Sequence, residues 1–159
     1  MNVLEHGRLA RWAPVDVPSG LHTSIEWTAR VLGALSVLAV GAVHLQQYLT
    51  LYSSIPTIGT LFVLNFVGAT AIGLGLLAPL ERLSTRLGVV PGLLALGGIG
   101  LAATSFVFLA ISERTPLFGF MEPGYDPAAI LASRVAEGAA VLFLGVFLVA
   151  RLTGRARAR

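Results

Sequence analysis

Hydrophobic positions run through this chain in long stretches with few polar interruptions. No Asp, Glu, Lys or Arg occurs from residue 31 to 80, a stretch of 50, or from 87 to 112, a further 26. An α-helix rises about 1.5 Å per residue, so roughly 20 apolar residues cross the ~30 Å hydrocarbon core of a bilayer. The first run is too long for one crossing. It breaks at Ser53-Ser54-Ile55-Pro56, where proline after a serine pair signals a turn and a new helix start. The pattern predicts spans at about 29–52, 57–80, 89–111 and 127–150. Thr23-Ser24-Ile25-Glu26 has the form of a capping box and predicts a first helix beginning near Ser24, with Trp27 at the interface. Asp126-Pro127 places an N-cap acid before a proline at the first helical position and so announces span four. The expected fold is all-α: a four-transmembrane-helix bundle of two consecutive hairpins over residues 23–152. A cytoplasmic N-terminal segment, 1–22, precedes it, and a basic cytoplasmic tail, 153–159, follows.

Composition supports the membrane reading. Hydrophobic residues make up 55% of the 159, charged residues 12%, and the mean hydropathy is +0.82. A soluble domain carries about 25% charged residues, twice this share. The absence of cysteine excludes disulfide scaffolds, thiolate metal sites and cysteine nucleophiles. His6, His22 and His44 are too few and too scattered for a histidine-box di-iron site. No metal and no cofactor are expected. All eleven basic residues are arginine, a usage that fits a high-GC bacterial genome. They gather at span ends, which argues against nucleic acid as a partner despite the pI of about 10.2. Residues 1–20 hold Glu5, Arg8, Arg11, Pro14, Asp16 and Pro18 and no apolar core. No cleavable signal is expected, and the first span should direct its own insertion.

Four spans put both termini on one side. Arg8, Arg11, Arg30, Arg82, Arg86, Arg151, Arg155, Arg157 and Arg159 all fall on that side, whereas the opposite loops hold only Arg114. Nine against one predicts cytoplasmic termini in a multi-pass protein of the bacterial cytoplasmic membrane. The outer loop from Ser112 to Tyr125 carries Phe118, Phe120, Met121 and Tyr125 and is expected chiefly as an interfacial anchor, with capping of the bundle as the alternative.

Lipid gives helices no hydrophobic reason to associate, so small residues are expected at their contacts. Ala128, Ala132, Ala136 and Ala140 are spaced by four and are expected on one face. Ala69/Gly73, Ala71/Gly75 and Gly98/Ala102 supply further pairs.

Every span also carries polar side chains at a similar depth. Span four holds Arg134 and Glu137, and a charge near the bilayer centre costs about 2.5–3.5 kcal/mol on insertion scales. Both should have partners, and a mutual ion pair three residues apart is the simplest structural choice. His44, with Gln47 and Tyr48 on its face, Asn65, and the Thr104-Ser105 pair all fall about 10–12 Å below the outer ends of their spans. Glu137, Arg134, His44, Asn65, Gln47 and Tyr48 are therefore the candidate ligand- or proton-binding residues, and none is expected to be catalytic. His44 lacks an intrachain mate for haem, because His22 lies about 33 Å away along the same helix.

His44-Leu45-x-x-Tyr48, followed by Tyr52-x-x-Ile55-Pro56-x-Ile58-Gly59-x-Leu61-Phe62-x-Leu64-Asn65, resembles a pattern in small four-span membrane proteins of actinobacterial type. Gly119-Phe120-x-Glu122-x-Gly124-Tyr125 fits more loosely, as does the in-membrane Glu137. The layout is similar to the DoxX-like group in architecture only. The resemblance implies a fold and a location and carries no activity.

Three roles remain open. An accessory or scaffold subunit comes first, its partners being the bilayer together with another membrane protein or a second copy of the chain. A small ligand binder or proton-coupled carrier using the Glu137, Arg134 and His44 cluster comes second. A quinone- or haem-associated redox subunit comes third. An enzyme is not favoured, because no nucleophile, metal spacing or phosphate loop is present.

Overall fold

A computed structural model of the protein describes residues 19–80 and 88–157. The N-terminal segment with Arg8 and Arg11, the connection with Arg82 and Arg86, and Arg159 lie outside the described residues. Helix α1 covers Ser19–Gln47 and continues as a wider π turn over Tyr48–Tyr52. Helix α2 covers Pro56–Leu77, α3 Val90–Ser112 and α4 Pro127–Arg157. All four are long and apolar enough to cross a membrane. Among the described residues they form an all-α bundle, with no strand beyond one pair of bridging residues in the second loop. One end of the bundle holds the start of α1 and the end of α4, and is called the terminal end below. The other holds the turn at 53–55 and the loop at 113–126, and is called the loop end.

Packing is inverted relative to a soluble bundle. The interior is rich in alanine: Ala34, Ala69, Ala95, Ala102 and Ala140 are fully buried. Leu64, Leu74, Leu93, Leu131 and Leu142 point outward, as a lipid-facing surface requires. Close approach uses glycine. A Cβ on Gly73 would stand 3.2 Å from the Ala34 carbonyl oxygen of α1. One on Gly75 would stand 2.8 Å from Leu94 of α3, and one on Gly98 2.7 Å from Leu144 of α4.

The alanine ladder of α4 does not form one buried face. Ala136 and Ala140 are buried, but Ala128 and Ala132 are exposed. Four residues advance about 40° past a full turn, so Ala128 and Ala140 are roughly 120° apart around the helix. The buried stripe instead follows Ser133, Glu137, Ala140, Leu144 and Phe147. Its steps of four, three, four and three are the coiled-coil period.

The helix ends also differ from expectation in two places. Helix α1 is already helical at Ser19, the first described residue, and Ser24 Oγ donates to the Gly20 carbonyl from within the helix. The capping box does not form, because Thr23 and Ser24 lie inside the helix; Glu26 Oε1 instead accepts from Arg151 Nη1 at 3.0 Å. Helix α4 runs past Ala150 because its arginines bond back to the bundle. Arg151 and Arg155 both donate to the Gly88 carbonyl just before α3, the latter at 2.9 Å. Arg30 closes the end of α2, donating to the carbonyls of Leu76 at 2.6 Å and Ala78 at 2.7 Å. Pro56 opens α2, and Asp126-Pro127 opens α4, as the sequence predicts.

Candidate functional site

Helices α2 and α3 pack closely through glycine in the terminal-end half, at Gly75 against Leu94 and Gly68 against Leu101. Asn65 of α2 donates to the Ser105 hydroxyl of α3. From that bond towards the loop end lies a cavity of about 420 Å³. All four helices and the second loop contribute to its lining.

Glu137 stands on the wall supplied by α4. The residue is 1% exposed, so its carboxylate is buried at a depth of about 15 Å from the start of α4. Ser133, one turn earlier, donates to Oε1 at 3.0 Å. Oε2 has no hydrogen-bond partner, and neither has the Asn65 side-chain oxygen. Buried polar atoms are nearly always paired, since each unpaired one costs about 1–3 kcal/mol. Two such atoms on one cavity are therefore its chemical signature, and both are acceptors.

His44 lines the same cavity from α1. Its Nδ1 lies 2.8 Å from the Val40 carbonyl oxygen, which can only accept, so Nδ1 carries the proton of this bond. The ring packs against Phe62 with centroids 5.0 Å apart. Phe62 also contacts Tyr52, at 4.8 Å. Tyr52 meets Phe120 of the loop edge-on, at 5.5 Å.

The second loop covers the cavity. Its turn, Leu117 to Phe120, is closed by two reciprocal backbone hydrogen bonds. Phe118 (φ 51°) and Gly119 (φ 79°) both take left-handed backbone there, as a type I′ turn requires. This turn aims Phe120 inward, whereas Phe118, Met121 and Tyr125 stay exposed. The loop thus caps the bundle, and only part of its aromatic content faces out. Glu122 is the fastener. It is buried, its Oε2 accepts from the Tyr52 hydroxyl, and its Oε1 accepts from the amides of Gly124 and Tyr125 at 2.9 and 3.1 Å.

Gln47 joins the rim, donating to Asp126 Oδ2 at 2.9 Å and to Gln46 Oε1 at 2.7 Å. Asp126 Oδ1 accepts from the Ala129 amide at 3.0 Å and caps α4. That amide, then the Gln47 side chain, holds the Asp126 carboxyl below its ordinary range. A carboxyl with a depressed folded pKa contributes stability at pH values above the unfolded pKa, about 3.9, and loses it as pH falls through the folded one. The unfolding midpoint should therefore drop on acidification below about pH 4. Asp126→Asn, which keeps the cap but cannot titrate there, should drop less steeply. Circular dichroism melts of both chains in one detergent over that range check this.

The six sequence candidates divide. Glu137, Asn65, His44 and Gln47 line the cavity. Tyr48 and Arg134 are not among its lining residues; the Tyr48 ring covers Gly59 instead. Arg134 does not pair with Glu137: it turns outward to Glu113, at the far end of α3. Side chains of a helix lean towards its N-terminus, so Arg134 reaches the rim, where Glu113 waits. Tyr52, Glu122, Ser133 and Phe62 were not among the candidates. Ser133 was readable as the residue one turn before Glu137. Tyr52, Phe62 and Glu122 belong to the quoted motif but are joined only by the fold. No group of His, Cys, Asp and Glu able to hold a metal occurs among the described residues.

Comparison of the chain with protein families, with curated proteins and with solved structures finds no match.

Proposed function

We propose that this protein is a multi-pass protein of the bacterial cytoplasmic membrane that binds a small amphiphilic molecule in the cavity at its loop end. The observation that carries this reading is the pair of unpartnered acceptors, Glu137 Oε2 and Asn65 Oδ1, on a cavity of about 420 Å³. Ligand pockets of about 300–1,000 Å³ are mostly apolar with a few convergent polar groups, and this cavity has that make-up. Intramembrane ionisable residues are functional candidates by default. A scaffold role, ranked first on sequence alone, gives no reason to leave two buried acceptors open.

Nine arginines against one support cytoplasmic termini, which puts the cavity in the outer half of the bilayer. The loop clasp of Glu122 and Tyr52 lies over it, so entry from outside requires that clasp to open, or entry comes sideways from lipid.

Native mass spectrometry of the full chain, released gently from its own membrane, tests the binding role. A small-molecule adduct is expected on the wild type and should vanish in Ala129→Phe, which fills the cavity from its wall. Phospholipid alone on both chains would count against the proposal.

A further inference from the structure

We infer that the cavity takes an organic ammonium ion: a protonated amine on an apolar or aromatic body. This rests on the binding role proposed above and names its ligand class. Two carboxylates, Glu122 and Glu137, line the cavity, and no arginine does among the described residues. Glu122 is spent, since its two oxygens already accept from Tyr52, Gly124 and Tyr125. Glu137 is not: one hydroxyl reaches Oε1, and Oε2 is bare. Arg134, the nearest cation along the chain, is held by Glu113 and does not line the cavity. In a low-dielectric site a carboxylate gains most from a bound cation that also donates hydrogen bonds.

The donor count points the same way. Both open atoms are acceptors, so the ligand head must donate, and an ammonium group offers several N–H donors. A quinone or a carboxylic acid anion would bring further acceptors to them. The walls suit a cation as well. Tyr52, Phe62, Phe108 and Phe120 line the same cavity as the two acceptors, and aromatic faces attract ammonium ions. The volume accommodates one aromatic ring with a short arm, with room left over.

Three probes of one shape separate the possibilities: 2-phenylethylammonium, 2-phenylethanol and 3-phenylpropanoate. Each is titrated by calorimetry at neutral pH into the full chain in detergent micelles. The ammonium should bind about tenfold or more tightly than the alcohol, as a charge-assisted contact does, and the propanoate should give no heat. Glu137→Gln, of the same shape, should erase the gap between ammonium and alcohol, chiefly by weakening the ammonium. Phe62→Leu should weaken the ammonium more than the alcohol, which keeps the test readable if the first variant folds poorly. Equal binding of alcohol and ammonium by the wild type, or preference for the propanoate, would overturn the cation assignment and leave the binding role standing. No binding of any probe would overturn both.

Discussion

Glu137→Met is expected to stabilise the empty bundle by about 1–3 kcal/mol, the cost of a buried polar group left unpaired. The buried carboxylate keeps a single hydrogen bond, from Ser133, and one of its oxygens has none. Methionine is of similar length and flexible, so it can fill the same volume without the desolvation cost. Ser133 loses its acceptor but can turn to the carbonyl four residues earlier, as helical serines do. The measurement is unfolding by SDS titration in mixed micelles, followed by circular dichroism. The sign decides between two roles for this residue. If Glu137 were a tie that fixes the helices, its loss would destabilise, as breaking a satisfied buried network does. A destabilised Glu137→Met would return the carboxylate to a structural role and remove the main support for a ligand. A stabilised one would mark a site where stability is given up for binding, the usual trade at a preformed pocket.

The same contrast explains what the sequence could and could not reveal. The four spans were legible because charge-free runs have few alternatives in a chain of this length. The shared depth of His44, Asn65, Ser105 and Glu137 was legible too, because rise per residue fixes depth. Helix azimuth was not, since it accumulates at about 100° per residue and small errors in start or phase rotate a face away. That is why the alanine ladder misled, and why the seam through Ser133, Glu137, Ala140, Leu144 and Phe147 emerges only with its partners in place. Partner choice was illegible for the same reason. Arg134 has Glu137 three residues away and Glu113 twenty-one residues away, and it takes the distant one because the loop returns Glu113 to the rim. Glu122 and Tyr52 are 70 residues apart, and only the folded loop brings them together.

The terminal-end half of the bundle carries the stability that the cavity half gives up, and Leu144 is its centre. This side chain of α4 is fully buried between two glycines of other helices. A Cβ on Gly33 of α1 would stand 2.9 Å from its Cγ and 3.3 Å from its backbone nitrogen, with the Cδ2 methyl closer still. A Cβ on Gly98 of α3 would stand 2.7 Å from its Cδ1. Rotating Leu144 away from one glycine moves it towards the other, so the fit cannot relax at one contact alone. Gly33→Val should therefore cost about 3 kcal/mol, at the upper end of the overpacking range. Leu144→Ala should cost about 2–5 kcal/mol by leaving a void. In the double variant the added methyls occupy the space that Leu144 vacates, so its loss should fall short of the sum by about 1–3 kcal/mol. SDS-titration midpoints of the four chains complete the cycle. Additive losses would mean that Leu144 finds another rotamer in the single variant, and that α1, α3 and α4 are not locked at this point. A clear shortfall would show that one leucine, seated in two glycine hollows, holds three helices in register and leaves the loop-end half free to stay hollow.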